Sequence, residues 1–186
     1  SPGFNDYGPE WLDVQTNGFG DHTILNENSP TLSYWETIFN RFVDGDTSFV
    51  DSLLTDSAQS FFYELVIFDD TTLNKTFHLL REQLDTSYVD YNIPEITSDD
   101  VVGGFRNGWG LFIINMDAAR EQILIQVPHP CDDFIAPYIA LDLFFETDAF
   151  GFMIAGAGRE VAWNQIGDYS NSKSISDPSR YPHTVF

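Results

Sequence analysis

The architecture of this chain is set by residues 109–155, which read WGLFIINMDAAREQILIQVPHPCDDFIAPYIALDLFFETDAFGFMIA. Apolar and β-branched runs predict strands at Leu111–Asn115 and Ile123–Val127. A helix over Ile135–Glu146 and a strand over Phe150–Ile154 follow. A strand, a helix and a further strand form a βαβ unit, whose crossover is right-handed. We therefore expect an α/β fold with a mixed sheet and flanking helices.

Upstream of this stretch, two amphipathic segments predict helices. Residues 33–43 place apolar side chains at intervals of three and four, and Ser33 with Glu36 has the spacing of a capping box. Gly45 is expected to end this helix, and a shorter one is expected over Thr47–Leu54.

The segment after these helices is less clearly patterned. Phe61–Phe68 is aromatic and β-branched and predicts a strand, and residues 69–72 predict a turn. The return segment fits either a strand over Phe77–Leu80 or a short helix over Thr76–Leu84, because periodicity does not distinguish them. Residues 85–108 are expected to be mostly loop with one short strand. We expect an irregular N-terminal arm over residues 1–30 and a single α/β domain over residues 31–186.

Composition excludes several classes of partner. The chain has 29 Asp and Glu residues against 8 Lys and Arg, which gives a formal net charge of -21. A field this negative repels phosphate backbones and anionic lipids, so we expect neither nucleic-acid nor membrane binding. The single cysteine, Cys131, excludes an intramolecular disulfide. The acidity predicts an extracellular or secreted location, where salt weakens self-repulsion, although an ordinary acidic soluble protein has the same composition.

The first candidate site is the loop after the second predicted strand. His129 and Asp132 are three residues apart, and an imidazole and a carboxylate at this spacing can bind one Zn²⁺ ion. Asp133 competes with Asp132 for this role or acts as the N-cap of the following helix. The alternative is a turn made rigid by Pro128 and Pro130, with a surface histidine.

Two later segments supply further candidates. His183 is a possible third zinc ligand, although a histidine so near the end of the sequence is often mobile. Glu160 is a candidate general base and Arg159 a candidate clamp for a substrate carboxylate, or the two form a solvated pair. His22 and His78 have no such neighbours in the sequence, and we interpret both as structural.

The run from Gly108 to Phe186 resembles predicted bacterial zinc hydrolases of the carboxypeptidase and N-formylglutamate amidohydrolase type. The resemblance rests on four segments: Gly108-Trp109-Gly110, Val127-Pro128-His129-Pro130 with Asp132, Ala155-Gly156 with Arg159, and Asp177-Pro178 through His183-Thr184. It implies a divergent or truncated member, because that fold continues its sheet beyond the position of His183. Such enzymes bind zinc through histidines and an acid and receive a substrate carboxylate on arginine.

Two hypotheses of different classes follow from the sequence. In the first, His129, Asp132 and His183 hold zinc, Glu160 takes a proton and Arg159 orients an acidic small-molecule or peptide substrate at an amide bond. In the second, the chain is a non-catalytic extracellular structural or self-assembling protein whose partners are copies of itself. The high Phe and Tyr content, 17 and 8 residues, motivates the second hypothesis.

Overall fold

A computed structural model of the chain describes residues 30–56, 61–83, 109–128 and 135–156, together with Pro130 and Asp133. Within these residues, three helices flank a five-stranded sheet. The elements follow one another as α1 (Pro30–Val43), α2 (Thr47–Leu54), β1 (Tyr63–Asp70), β2 (Lys75–Glu82), β3 (Leu111–Asn115), β4 (Arg120–Val127), α3 (Ala136–Thr147) and β5 (Ala149–Ile154). The predicted α/β class is confirmed.

The sheet is mixed, with the strand order β1-β2-β3-β5-β4. Strands β1, β2, β3 and β5 pair antiparallel in that order, and β4 pairs parallel with β5 at one edge. Two parallel neighbours need a crossover connection, and α3 supplies it. The predicted βαβ unit is therefore confirmed as β4, α3 and β5.

Each face of the sheet carries its own hydrophobic core. On one face, Trp35, Ile38 and Phe42 of α1 and buried residues of α2 pack against Leu80 and Phe112. On the other face, α3 packs its buried residues against Val127, Phe152 and Ile154, among others. Side chains of adjacent strand residues point to opposite faces of the sheet. Phe152 is paired with Ile113, the neighbour of Phe112, so Phe112 and Phe152 belong to different cores.

The starts of the helices differ in part from the sequence prediction. Helix α1 begins at Pro30, so Ser33 is not an N-cap; it lies inside the helix, where its carbonyl accepts a 3.0 Å hydrogen bond from the Thr37 hydroxyl. Proline is preorganised for the first helical position, which explains the earlier start. The predicted end is confirmed, since Gly45 has a φ of +75° after the last helical residue, Val43. Helix α2 has the predicted bounds.

The hairpin after α2 is shifted by two residues from its predicted position. Strand β1 covers Tyr63–Asp70 instead of Phe61–Phe68, and the turn lies over residues 71–74. The Asp70 carboxylate accepts hydrogen bonds from the amides of Thr72 and Leu73, at 2.8 and 3.0 Å, which fixes the turn after it. The return segment, left open between strand and helix, is strand β2, which pairs with β1 on one side and β3 on the other.

The predicted arm and loop fall largely outside the described residues. Residues 1–29 and 84–108 are not described, and Pro30 belongs to α1. Of the helices in the described ranges, none has both the length and the apolar character needed to cross a membrane.

Candidate functional site

The five residues of the predicted zinc site lie outside the described part of the chain. They are His129, Asp132, Arg159, Glu160 and His183. Their assignment as ligands, general base and carboxylate clamp stays a prediction. Among the residues that the structure describes, no group of three or more His, Cys, Asp and Glu side chains could hold a metal ion. His22, interpreted as structural, also lies outside them.

The suggested N-cap role of Asp133 is wrong. Helix α3 begins at Ala136, and its N-cap is Ile135, whose side chain makes no capping hydrogen bond. Asp133 precedes this N-cap by two residues, and its backbone carbonyl accepts a 2.7 Å hydrogen bond from the Ala136 amide. Pro137 lies in the first turn, where no intrahelical donor is needed.

The carboxyl ends of β4 and β5 lie side by side. Val127 is paired with Ile154, and the Ala155 amide donates a 3.0 Å hydrogen bond to the Val127 carbonyl. Pro128 and Gly156, which follow these strand ends, therefore leave the sheet at the same edge. This edge is where open α/β sheets bind ligands.

The Asp148 carboxylate accepts hydrogen bonds from three different parts of the fold. Asp148 follows α3 in the left-handed conformation, with a φ of +51°. Its Oδ1 accepts hydrogen bonds from Lys75 at 2.6 Å and from the Asn115 amide group at 2.8 Å, and its Oδ2 accepts one from the Ala119 amide at 3.1 Å. The Lys75 hydrogen bond is the main reason that the pKa of Asp148 is lowered. Asp148 thus ties the end of α3 to β2, β3 and the β3–β4 connection.

An open cavity of about 650 Å³ lies beside this carboxylate, at the β1–β2 hairpin. Its lining includes Asp69, Asp70, Lys75 and Asp117. Lys75 also donates a 2.9 Å hydrogen bond to the Asp117 carbonyl, and the Asp117 carboxylate accepts one from the Thr76 amide at 3.2 Å. These polar groups already serve to join the hairpin to the β3–β4 connection, so we assign the cluster a structural role.

His78 lies inside the sheet, on the α1 and α2 face. Its side chain is 8% exposed, opposite Ile67 on β1 and Ile114 on β3. Its Nδ1 has no hydrogen-bond partner among the described residues. Burial lowers the pKa of His78, and the carboxylate of Asp69 opposes that shift. A neutral histidine with apolar neighbours agrees with the structural interpretation made from the sequence.

The Tyr63 hydroxyl is a second buried polar group with a structural role. It donates a 2.8 Å hydrogen bond to the Gly110 carbonyl, and burial raises the pKa of Tyr63 well above its usual value, with a further contribution from Glu82. The hydroxyl therefore stays protonated and holds the start of β1 against the residue before β3.

The side of α3 that faces away from the sheet is unusually apolar for a surface helix. Ala140 and Phe144 are buried against the sheet, yet several large apolar side chains of the same helix are exposed. Tyr138 is 65% exposed and Ile139 is 51% exposed. We call this region the α3 outer surface; its apolar members are Ile135, Tyr138, Ile139, Leu141, Leu143 and Phe145.

Charged residues divide the α3 outer surface. At 3.6 residues per turn, Tyr138, Leu141 and Phe145 fall on one side of the helix, and Ile139 and Leu143 fall on the other. Asp142 and Glu146 lie between these two apolar stripes. A helix that packs on only one side normally carries a single apolar stripe. This distribution can be read from the sequence, because the apolar residues of 135–146 lie on all sides of a helix instead of on one face.

The chain matches no protein-family model, and no curated protein or solved structure shows significant similarity to it.

Proposed function

We propose that this chain is a non-catalytic binding domain that docks another polypeptide through the α3 outer surface. The observation that carries this proposal is the exposure of large apolar side chains on both sides of the Asp142–Glu146 ridge. Groups of large exposed apolar side chains bordered by polar residues mark interaction sites in soluble proteins more often than singly exposed ones do. The proposal keeps the non-catalytic part of the second hypothesis from the sequence, and it replaces self-assembly with docking of another polypeptide at a defined surface.

The contacts that hold α3 on the described sheet do not use this surface. Ala140 and Phe144 anchor the helix on β4 and β5 through the second core. The rings of Phe144 and Phe152 lie 5.8 Å apart, so the helix is held without help from Ile139 or Leu143. Covering exposed apolar area gains roughly 25 cal/mol per Å², which is the driving force that a partner would use.

Photocrosslinking of the full chain in the cells that make it tests this function. The photoreactive amino acid p-benzoylphenylalanine replaces Tyr138 in one variant and Leu73, an exposed residue of the β1–β2 turn, in a control variant. We expect a crosslinked polypeptide from position 138 that is absent from position 73. Adding Ile139→Ser and Leu143→Ser to the first variant should abolish it. Equal crosslinking at both positions, or none at position 138, would refute the proposal.

A metal-dependent hydrolase acting on an amide or peptide bond near a carboxylate is the second candidate function. The observation that favours it is the adjacency of the β4 and β5 carboxyl ends, since the segments carrying His129 and Arg159 follow these two ends. In this proposal His129, Asp132 and His183 bind zinc. Bound zinc would lower the pKa of a water molecule, and Glu160 would accept its proton.

Zinc content separates the two functions. The full chain, purified in the presence of zinc and dialysed, is expected to retain about one metal ion per chain if the hydrolase proposal holds. His129→Ala should then lose the metal, whereas His22→Ala should keep it. Retention of zinc by His129→Ala, or no zinc in the unchanged chain, counts against the hydrolase.

A further inference from the structure

The charges on α3 indicate which kind of polypeptide fits its outer surface. Residues 136–147 contain two acids, Asp142 and Glu146, and no basic residue. They are four positions apart, where like charges repel by a few tenths of a kcal/mol. No ion pair to either acid is present among the described residues. Within the described ranges, neither acid is neutralised by a basic side chain.

A second copy of this chain is a poor match for that surface. Docking two α3 helices together would bring Asp142 and Glu146 of one copy against the same acids of the other. Each copy also carries a net charge of -21, so approach is opposed at long range as well. Charge complementarity instead requires a positively charged partner.

The spacing of the two apolar stripes defines the partner further. An occupant that covers both stripes must place apolar side chains on either side of the acidic ridge and cations over the ridge itself. An amphipathic segment with Lys or Arg between its apolar residues has this pattern. We infer that the α3 outer surface binds a basic amphipathic segment of another protein, an inference that rests on the proposed function.

Two synthetic peptides test the inference on the full chain. One is an amphipathic helix with Leu at core positions and Lys between them, and the other has Glu at every Lys position. Fluorescence anisotropy should show binding of the basic peptide at 0.05 M NaCl, weakened at 0.3 M because salt screens exposed charge pairs. The acidic peptide should bind at least about tenfold more weakly, since each like-charge contact replaces an attractive one.

Matched variants locate the binding. Asp142→Asn with Glu146→Gln should weaken the basic peptide by about three- to tenfold and flatten its salt dependence, because two exposed charge pairs contribute about 0.2–1 kcal/mol each. Asp44→Asn with Asp51→Asn removes the same charge from exposed positions near α2, and should change affinity less than about twofold. Ile139→Ser with Leu143→Ser should remove most binding while leaving the melting temperature nearly unchanged, since both residues are exposed.

Three results would overturn the inference. These are equal binding of the two peptides, equal effects of the two charge-removing pairs, and self-association of the chain that is lost in Ile139→Ser with Leu143→Ser. The last result would identify a second copy as the occupant. If crosslinking from position 138 persists in cells while the basic peptide fails, the proposed function stands and only the partner's chemistry is wrong.

Discussion

At the scale of single residues, several polar groups in the described ranges hold elements of the fold together. Asp148 is the clearest example, because one carboxylate accepts hydrogen bonds from Lys75, Asn115 and the Ala119 amide. Its left-handed backbone is a conformation that Asn tolerates at least as well as Asp. Asp148→Asn therefore removes the charge with little effect on the backbone.

We predict that Asp148→Asn lowers the free energy of unfolding at pH 7 by about 1–2 kcal/mol, the range for charged hydrogen bonds. Because the pKa of Asp148 is lowered below 3.8 in the folded state, this stabilisation is present above pH 3.8 and is lost as the pH falls below it. Urea denaturation at pH 7 and pH 3 measures both effects. Asp142→Asn, which removes an exposed charge from α3, should cost less than about 0.5 kcal/mol; an equal loss in both variants would contradict the prediction.

His78 predicts a second pH dependence. Its folded-state pKa lies below the unfolded value of 6.5, so the unfolded chain binds more protons as the pH falls through 6.5. Stability should therefore decline from pH 7 towards pH 5. His78→Leu should reduce that decline and raise stability at pH 7 by about 1 kcal/mol, because an unpaired buried polar atom is removed.

His78→Gln is the matched control, since it removes the titration but keeps a polar side chain. It should share the smaller pH dependence without the gain at pH 7. An unchanged pH dependence in both variants would show that His78 does not titrate in this range.

At the scale of elements, the sequence predicted β3 with its observed bounds and α3 and β5 to within one residue, whereas β4 begins at Arg120, three residues before the predicted Ile123. Leu111–Asn115 and Phe150–Ile154 are strongly apolar runs bounded by Gly, Asp and Asn, and burial on both sheet faces produces such runs. The ends of elements were less predictable. The start of α1 depends on Pro30, and the turn after β1 depends on the hydrogen bonds that the Asp70 carboxylate accepts from the Thr72 and Leu73 amides.

The junction of β3 and β5 leads to a prediction about two glycines. Gly110 has a φ of +100°, and a Cβ there would lie 2.0 Å from the Ile154 carbonyl oxygen, which is backbone and does not yield easily. A Cβ on Gly151 would lie 2.6 Å from Cδ1 of Leu124, the end of an exposed and flexible side chain.

Gly110→Ala should therefore cost more than about 3 kcal/mol, with contributions from backbone strain and the clash. Gly151→Ala should cost less than about 1 kcal/mol, because Leu124 can change rotamer. Thermal melts of the two variants, compared with the unchanged chain, give the order. Equal destabilisation, or the reverse order, would contradict it.

At the scale of the whole molecule, the charge of -21 predicts weak binding to nucleic acid and anionic membranes, and it says less about which partner is favoured. The sequence also pointed to His129, Asp132 and His183, but three ligands meet only if distant segments converge. Residue spacing does not fix such convergence. The helix over residues 135–146 was predicted, but its exposed apolar surface was not. Apolar residues lie on all sides of this helix, and only its packing on the sheet shows which of them stay exposed.

Net charge yields a prediction for the folded chain. Salt screens repulsion among the acids, and the Debye length shortens from about 10 Å at 0.1 M towards 3 Å at 1 M. The melting temperature should therefore rise between 0.05 and 0.5 M NaCl. Choline chloride at the same ionic strength should give a similar rise, which distinguishes screening from binding of Na⁺. A melting temperature that falls with salt would contradict this account of the acidity and remove its support for an extracellular or secreted location.

The most direct test of the account is a methyl NMR titration of the full chain with the basic amphipathic peptide. The methyl groups of Ile139, Leu141 and Leu143 should shift on addition of peptide, while those of Ile67 and Leu73 at the β1–β2 hairpin should not. Shifts confined to α3 would support docking at its outer surface. Shifts centred on the hairpin, or none at saturating peptide, would contradict it.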